Sequence, residues 1–222
     1  MILNNLQITE TVEKGEIFIE PFEEEQVQAA TYDLRVGKQG ATASAKKLIN
    51  IQEKGYLSLK PGDFAVITVL EELRLTPQYT GRIGIRSKFA RKGIIATTGP
   101  QIDPGYNGRL IIGLTNPTPN SVTFPYKDDF LSIEFHKLEE PSTKPYTGPY
   151  QGKMELGPED IEMIVESESM SITEVLATLN SLSLNVSSLG TDVKVLTGNM
   201  KSFQWTVGIG VAVLALIFSI FK

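Results

Sequence analysis

From Tyr56 onward, apolar and polar residues alternate in short runs separated by turn residues. YLSLKPGDFAVITVLEELRL reads as a strand, a Pro61–Gly62 turn and a second strand rich in Val and Ile. RIGIRSKFARKGIIATTG continues the pattern, and GRLIIGLTNPTPNSVTFPYKDDFLSIEFHKLEEP closes it with further strands; within this stretch Ser87–Lys92 reads as a short helical turn. Upstream, GEIFIEP (Gly15–Pro21) and ATYDLRVG (Ala30–Gly37) read as strands, the second with Tyr32, Leu34 and Val36 on one face. Leu3, Leu6 and Ile8 suit either a helix or a strand, while Pro21–Gln26 and Gly37–Lys47 read as loops. Turn signals spaced about 8–12 residues apart predict an all-β sandwich, jelly roll or barrel.

The pattern changes after KPYTGPYQGK (Lys144–Lys153), a Pro/Gly/Tyr segment that suits either a linker or an arm laid across a site. GPEDIEMIVES begins an acidic helix. From Ile172 the apolar positions Val175, Leu179, Leu182, Val186, Leu189, Val193, Leu196, Met200 and Phe203 alternate spacings of three and four, the seam of a coiled coil. Gly190 and Gly198 each weaken that helix by about 1 kcal/mol. Ser202–Phe221 then carries no charge and is bracketed by Lys201 and Lys222. As a helix, Phe203–Phe221 spans roughly 28 Å, about the hydrocarbon thickness of a bilayer. Trp205 sits at one end of that run, where an amphipathic ring suits the headgroup layer. The expected organisation is a mainly β head (1–140), an arm (141–157), a helical coiled-coil stalk (158–202) and one C-terminal transmembrane anchor (203–222). The N-terminus lacks a basic segment followed by a long apolar core, so no signal peptide is expected.

Charge and composition narrow the chemistry. The chain has 222 residues and a net charge of −5, which argues against a nucleic-acid polymer as partner. Cysteine is absent and His136 is the sole histidine. That removes disulfides, thiol catalysis and a His/Cys zinc site. His136, near a strand end, reads as structural or exposed. Against the acidic background, Gly81–Asn116 reverses sign: Arg82, Arg86, Lys88, Arg91 and Lys92 precede its first carboxylate, Asp103. Clustered cations make a site for an anion such as phosphate. Asp103 lies in IDPGYNG, where Pro104 fixes φ and Gly105 permits φ > 0. A carboxylate held in such a turn can polarise water near a phosphate; the alternative is a hairpin with a solvated basic strand.

GRIGIRSKFARKGI followed by TTGPQIDPGYNGRLIIGLTN resembles the dCTP deaminase branch of the dCTP deaminase/dUTPase superfamily. The similarity extends to GEIFIEPF…ATYDLRVG, to LSLKPGDFAVITVLEELRLT and to YTGPYQGK, which is similar to the family's Tyr-containing tail; it covers residues 1–153. The resemblance implies a dUTPase-like distorted β barrel (β-clip) that assembles as a homotrimer, with deoxynucleoside triphosphate (dUTP or dCTP) bound between subunits. Magnesium would be held by the triphosphate and water. By position, Arg86 and Ser87 match the pair beside the triphosphate and catalytic water, and Arg91 the second arginine. Asp103 matches the aspartate that meets the deoxyribose and, in dUTPases, activates water. Tyr106 matches the aromatic that packs on the sugar, and Tyr150 and Gln151 match tail residues that close over the phosphates. Lys88, Gln101 and Lys153 complete the expected binding set.

The departures limit the chemistry. Deaminases of this family carry a proton-shuttling glutamate in the strand after the turn, and Gly113 stands at that position. Loss of general acid–base catalysis typically costs about 10²–10⁴-fold. Lys88 replaces a second serine, Gln101 a residue that is often basic, and Pro149 the lysine of the tail. Three readings follow: dUTP (or other dNTP) diphosphohydrolysis, which needs no glutamate; a nucleotide sensor signalling through the stalk to the membrane; and deamination with a displaced catalytic group. Nucleotide availability puts the head in the cytoplasm in all three.

Overall fold

The computed structural model describes the backbone of residues 1–166 and 172–220, and their side chains except at 163, 165–166, 172–177 and 215–220. The chain divides into two compact units, one ending at Thr173 and one beginning at Glu174.

The first unit opens with α1 (Asn5–Glu13), so the ambiguous apolar run at the N-terminus is helical. Its start is fixed by a capping box: the Asn4 side chain accepts from the Gln7 N–H, and Gln7 Oε1 accepts from the Asn4 N–H, both at 3.0 Å. There follow β1 (Ile17–Glu20), a 3₁₀ turn (Glu24–Gln26), β2 (Tyr32–Thr42), β3 (Leu48–Asn50), α2 (Ile51–Lys54), β4 (Tyr56–Leu59), β5 (Phe64–Leu75) and β6 (Tyr79–Ile85). Next come α3 (Ser87–Ala90), β7 (Ile95–Ala96), β8 (Gln101–Ile102), β9 (Asn107–Thr115), β10 (Val122–Pro125), β11 (Asp129–Lys137) and α4 (Pro158–Glu166). One mainly antiparallel sheet runs β7-β9-β5-β2-β11-β6-β8, with β1 added to β5 and β3 to β2; β10 and β4 form a separate pair. Register shifts in the β2–β5, β5–β9 and β11–β2 pairings mark irregularities of the kind that increase twist and let a sheet curl. The expected mainly β head is present in this form.

The inner face buries Tyr32, Leu34 and Val36 as the alternation of β2 requires, together with Ile67, Val69, Ile112 and Leu114. Phe89 of the predicted helical turn is buried and stacks on Phe124, ring centroids 4.4 Å apart. The stretch Gly37–Lys47, read as a loop, is instead strand as far as Thr42. Its residues are small for a packing reason: a Cβ on Gly37 would lie 2.4 Å from the Val69 carbonyl oxygen, and one on Gly40 would lie 3.0 Å from Ile51 Cδ1. α4, expected to open a stalk, belongs to the head unit, where Leu156, Asp160 and Ile164 are buried.

The second unit begins within α5 (Ile172–Ile220), at Glu174. Leu179, Leu182, Val186, Leu189, Val193, Leu196, Met200 and Phe203 of the apolar seam are exposed on the single chain. Among the described residues no helix is long and apolar enough to cross a membrane. The expected anchor, 203–221, runs past Leu214 into residues whose side chains lie outside those described.

Candidate functional site

β8 is a two-residue strand whose partners fix the position of Asp103. Gly81 pairs with Ile102 and Arg82 with Gln101, so Asp103 emerges at the first end of β6. The turn closes when the Tyr106 N–H donates to the Asp103 carbonyl at 3.2 Å. Gly105 needs to be glycine twice over: its φ is +85°, and a Cβ there would lie 2.6 Å from Pro145 Cβ. Gln101 Nε2 donates to Asp103 Oδ1 at 2.9 Å and orients the exposed carboxylate. Tyr106 is buried, donates its hydroxyl to the Arg109 carbonyl at 2.9 Å and packs on Tyr146. Burial pushes its phenol well above the usual range, so it offers a neutral ring.

The Pro/Gly/Tyr segment is an arm fastened over this turn. The Tyr146 N–H donates to the Pro104 carbonyl at 2.8 Å, and Gln151 Nε2 to the Gly105 carbonyl at 3.0 Å. Gln151 Oε1 accepts from the Asn107 N–H at 3.2 Å. The Arg109 N–H donates to the Lys153 carbonyl at 2.8 Å, continuing the backbone pairing beside β9. Between arm, turn and sheet lies a cleft of about 560 Å³ whose lining includes Gln101, Asp103, Tyr106, Gly113 and Tyr150.

Gly113 faces this cleft, and the space its side chain would take is occupied. A Cβ at 113 would lie 2.4 Å from Thr97 Oγ1 and 3.4 Å from Phe64 Cε2. The Gly113 N–H donates to Thr98 Oγ1 at 2.6 Å, and its carbonyl accepts from the Thr97 N–H at 2.9 Å. Thr97 is β-branched and stiff at χ1. Gly113→Glu is therefore expected to lower stability by about 1–3 kcal/mol through overpacking, and adding Thr97→Ala to restore most of it. Thermal unfolding of the two variants checks this; an undiminished loss in the double variant would move the clash elsewhere.

The cationic group occupies the other end of β6. Arg86 continues the ladder by donating its N–H to the Phe130 carbonyl and is the N-cap of α3. It stands five residues beyond Gly81, about 17 Å along an extended strand. Its guanidinium is paired with buried Asp33, whose other oxygen accepts from Ser132 Oγ at 2.6 Å, and lies 3.5 Å from Asp129. Burial raises the Asp129 carboxyl despite the opposing charge of Arg86. Lys88 is paired with Asp128. The cluster of like charge read from the sequence is thus partly neutralised by carboxylates from 33, 128 and 129. Ser87 and Arg91 are exposed.

The expected site residues therefore fall into two groups within one chain. Gln101, Asp103, Tyr106 and Tyr150 share the cleft; Arg86, Ser87, Lys88 and Arg91 stand at the far end of β6. Gln151 and Lys153 fasten the arm. Both ends of the Gln151 amide are used by the turn, and the Lys153 ammonium is bound by Asp160 at 2.7 Å and Glu159 at 3.3 Å. Burial lowers the Lys153 pKa, but Asp160 and Glu159 outweigh it and the net shift is upward. Reading the sequence also missed Asp33, which fixes Arg86. Its signal is a carboxylate inside the apolar run of ATYDLRVG, at a position only 1% exposed. Among the described residues no three acidic or histidine side chains converge as a metal site.

A family model described as dCTP deaminase-like matches residues 2–138. A dCTP deaminase of Thermococcus sibiricus is 42% identical over 143 residues, covering 64% of this chain and 90% of that protein. A dUMP-forming dCTP deaminase of Aquifex aeolicus is 30% identical, covering 76% of this chain and 99% of that protein. Among solved structures, 2'-deoxycytidine 5'-triphosphate deaminase from Agrobacterium tumefaciens superimposes with a TM-score of 0.52 at 18% identity. That match covers 60% of this chain and 48% of the other and is a likeness of fold.

Proposed function

The chain belongs to the dCTP deaminase-like family, and from that premise we propose that it binds deoxynucleoside triphosphates at sites shared between subunits of a homotrimer and hydrolyses them to a monophosphate and pyrophosphate. dUTP is the substrate proposed, with dCTP as its competitor. The observation that carries the reading is the contrast between Asp103, held by Gln101 at the cleft, and Gly113, whose side-chain space Thr97 fills. A glycine cannot move the protons that deamination requires; a carboxylate at 103 serves hydrolysis.

In this reading the oxygen of a water attacks the α-phosphorus while Asp103 accepts its proton. The bond from the α-phosphorus to the bridging oxygen breaks, and pyrophosphate leaves with the electron pair. Tyr106 packs on the deoxyribose, and Tyr150 closes the arm over the phosphates, excluding water. Magnesium, brought by the triphosphate, would supply charge neutralisation at the leaving group; among the described residues no cluster of acidic or histidine side chains would hold it directly. Arg86, Ser87, Lys88 and Arg91 come from the neighbouring subunit; in their own chain they stand at the far end of β6 from Asp103. The Asp33 pair uses Nη1 of Arg86 and leaves its other guanidinium donors for phosphate.

The seam of α5 joins the subunits as a stalk, and residues 203–221 anchor it in a membrane with the head in the cytoplasm. Support comes from the exposed seam and from the uncharged run that begins at Ser202. The test is to incubate the full-length protein in detergent with magnesium and dUTP, dCTP or dTTP, following pyrophosphate and ammonia. Pyrophosphate from dUTP without ammonia from dCTP is expected. Ammonia at a comparable rate would overturn the reading of Gly113, and tight binding without turnover would make the head a sensor. Release of the protein from membranes by alkaline carbonate would sink the anchor.

A further inference from the structure

Residues 158–166 lie outside the family match at 2–138, yet they form part of the cleft wall. Asp160 is the third residue of α4 and reaches back to accept the Gly157 N–H at 2.7 Å, which fixes the start of the helix. The same carboxylate receives the Lys153 ammonium, at 2.7 Å on Oδ2 and 2.9 Å on Oδ1. Ile164 lies one turn further on, and positions i and i+4 share a helix face. Asp160 is 5% exposed and Ile164 1%, and both line the cleft that holds Asp103, Tyr106 and Gly113.

The segment leading into α4 is tied to the sheet. The Leu156 N–H donates to Gln39 Oε1 at 2.9 Å, and the Lys153 carbonyl accepts from the Arg109 N–H at 2.8 Å. Lys153 follows directly on Gln151 and Gly152, which hold the Asp103 turn through Asn107 and Gly105. With α4 in place the cleft keeps about 560 Å³, within the range of roughly 300–1,000 Å³ usual for small-molecule sites. α4 borders the space without filling it.

We propose that α4 is a wall of the nucleotide cleft, fastened by the Lys153–Asp160 pair, and that nucleotide binding and α4 docking reinforce each other. Asp160 and Ile164 are then positioning residues contributed by a segment the family match does not include. The choice of ligand rests on the nucleotide reading above. A ligand seated in the cleft that α4 borders gains affinity when α4 is docked, and by reciprocity it holds α4 down by the same factor.

The full-length protein with α,β-imido-dUTP, which resists cleavage at the α–β bridge, tests this. Hydrogen exchange over 158–166 is expected to slow about fivefold or more at saturation. Asp160→Asn, Lys153→Met and Ile164→Ala are each expected to weaken binding by a comparable factor while the 103–106 turn is still protected at saturating analogue. Unchanged or faster exchange over 158–166 in the wild type overturns the wall whatever the variants do, as does undiminished affinity in all three. Failure of the wild type to bind the analogue sinks the nucleotide reading and this wall together; binding with α4 exchange unaltered sinks the wall alone.

Discussion

Asp103→Asn is expected to slow pyrophosphate release by about 10²–10⁴-fold, with nucleotide affinity little changed. Asparagine keeps an oxygen that can accept from Gln101 Nε2, but it cannot take a proton from water. Ser87→Ala is expected to be impaired for a different reason, since Ser87 stands at the far end of β6 from the turn. Arg86 lies about 17 Å along the strand from the residue paired with Ile102, so in the trimer proposed above the two variants would damage halves of the site carried by different subunits. Co-expression of the Asp103→Asn and Ser87→Ala chains should therefore restore activity. In a randomly assembled trimer each site takes one half from each of two neighbours, so about a quarter of sites are intact. Recovery to roughly that share of the wild-type rate is the expected result. No recovery from the mixture would mean that one chain supplies both halves.

The parts of this architecture that were legible in the sequence are those set by local pattern. Alternation gave the strands around Tyr32, Leu34 and Val36, and the IDPGYNG turn forms as Pro104 and Gly105 dictate. The unbroken three-and-four spacing after Ile172 appears as one continuous helix. What was not legible depends on partners distant in the chain. Asp33 meets Arg86 across 53 residues, so a window on Gly81–Asn116 sees cations and misses the carboxylate that neutralises one of them. Gly37 and Gly40 carry too little hydropathy to show the strand they belong to; they are small because β5, Ile51 and Leu57 approach so closely. The acidic start of α4 read as the opening of a stalk, whereas Asp160 turns inward because Lys153 is there to receive it.

The same kind of distant pairing sets the largest expected stability effect. Glu71 is fully buried in β5 and faces Arg35 of β2, also buried. Arg35 Nε donates to Glu71 Oε1 at 2.6 Å, and the Arg35 N–H donates to Oε2 at 3.0 Å. The far side of the guanidinium pairs with Glu23 and donates to the Pro21 carbonyl at 3.2 Å. Glu71→Leu leaves the Arg35 charge in a dry interior with one partner gone, and a loss of about 3–5 kcal/mol is expected. Arg35→Met combined with Glu71→Leu removes both charges and should lose less than Glu71→Leu alone. Burial raises the Glu71 carboxyl above its usual value, with Arg35 offsetting only part of the effect. A folded-state pKa above the unfolded one means that the folded protein holds the proton more tightly. The stability this group contributes is then fully present below the unfolded value of 4.5 and lost as pH rises through the raised value. Urea unfolding across that window should register the decline in the wild type, and Glu71→Leu should lack this component. A variant as stable as the wild type at neutral pH would mean that water reaches Arg35 and that the pair is not the buried charge its exposure indicates.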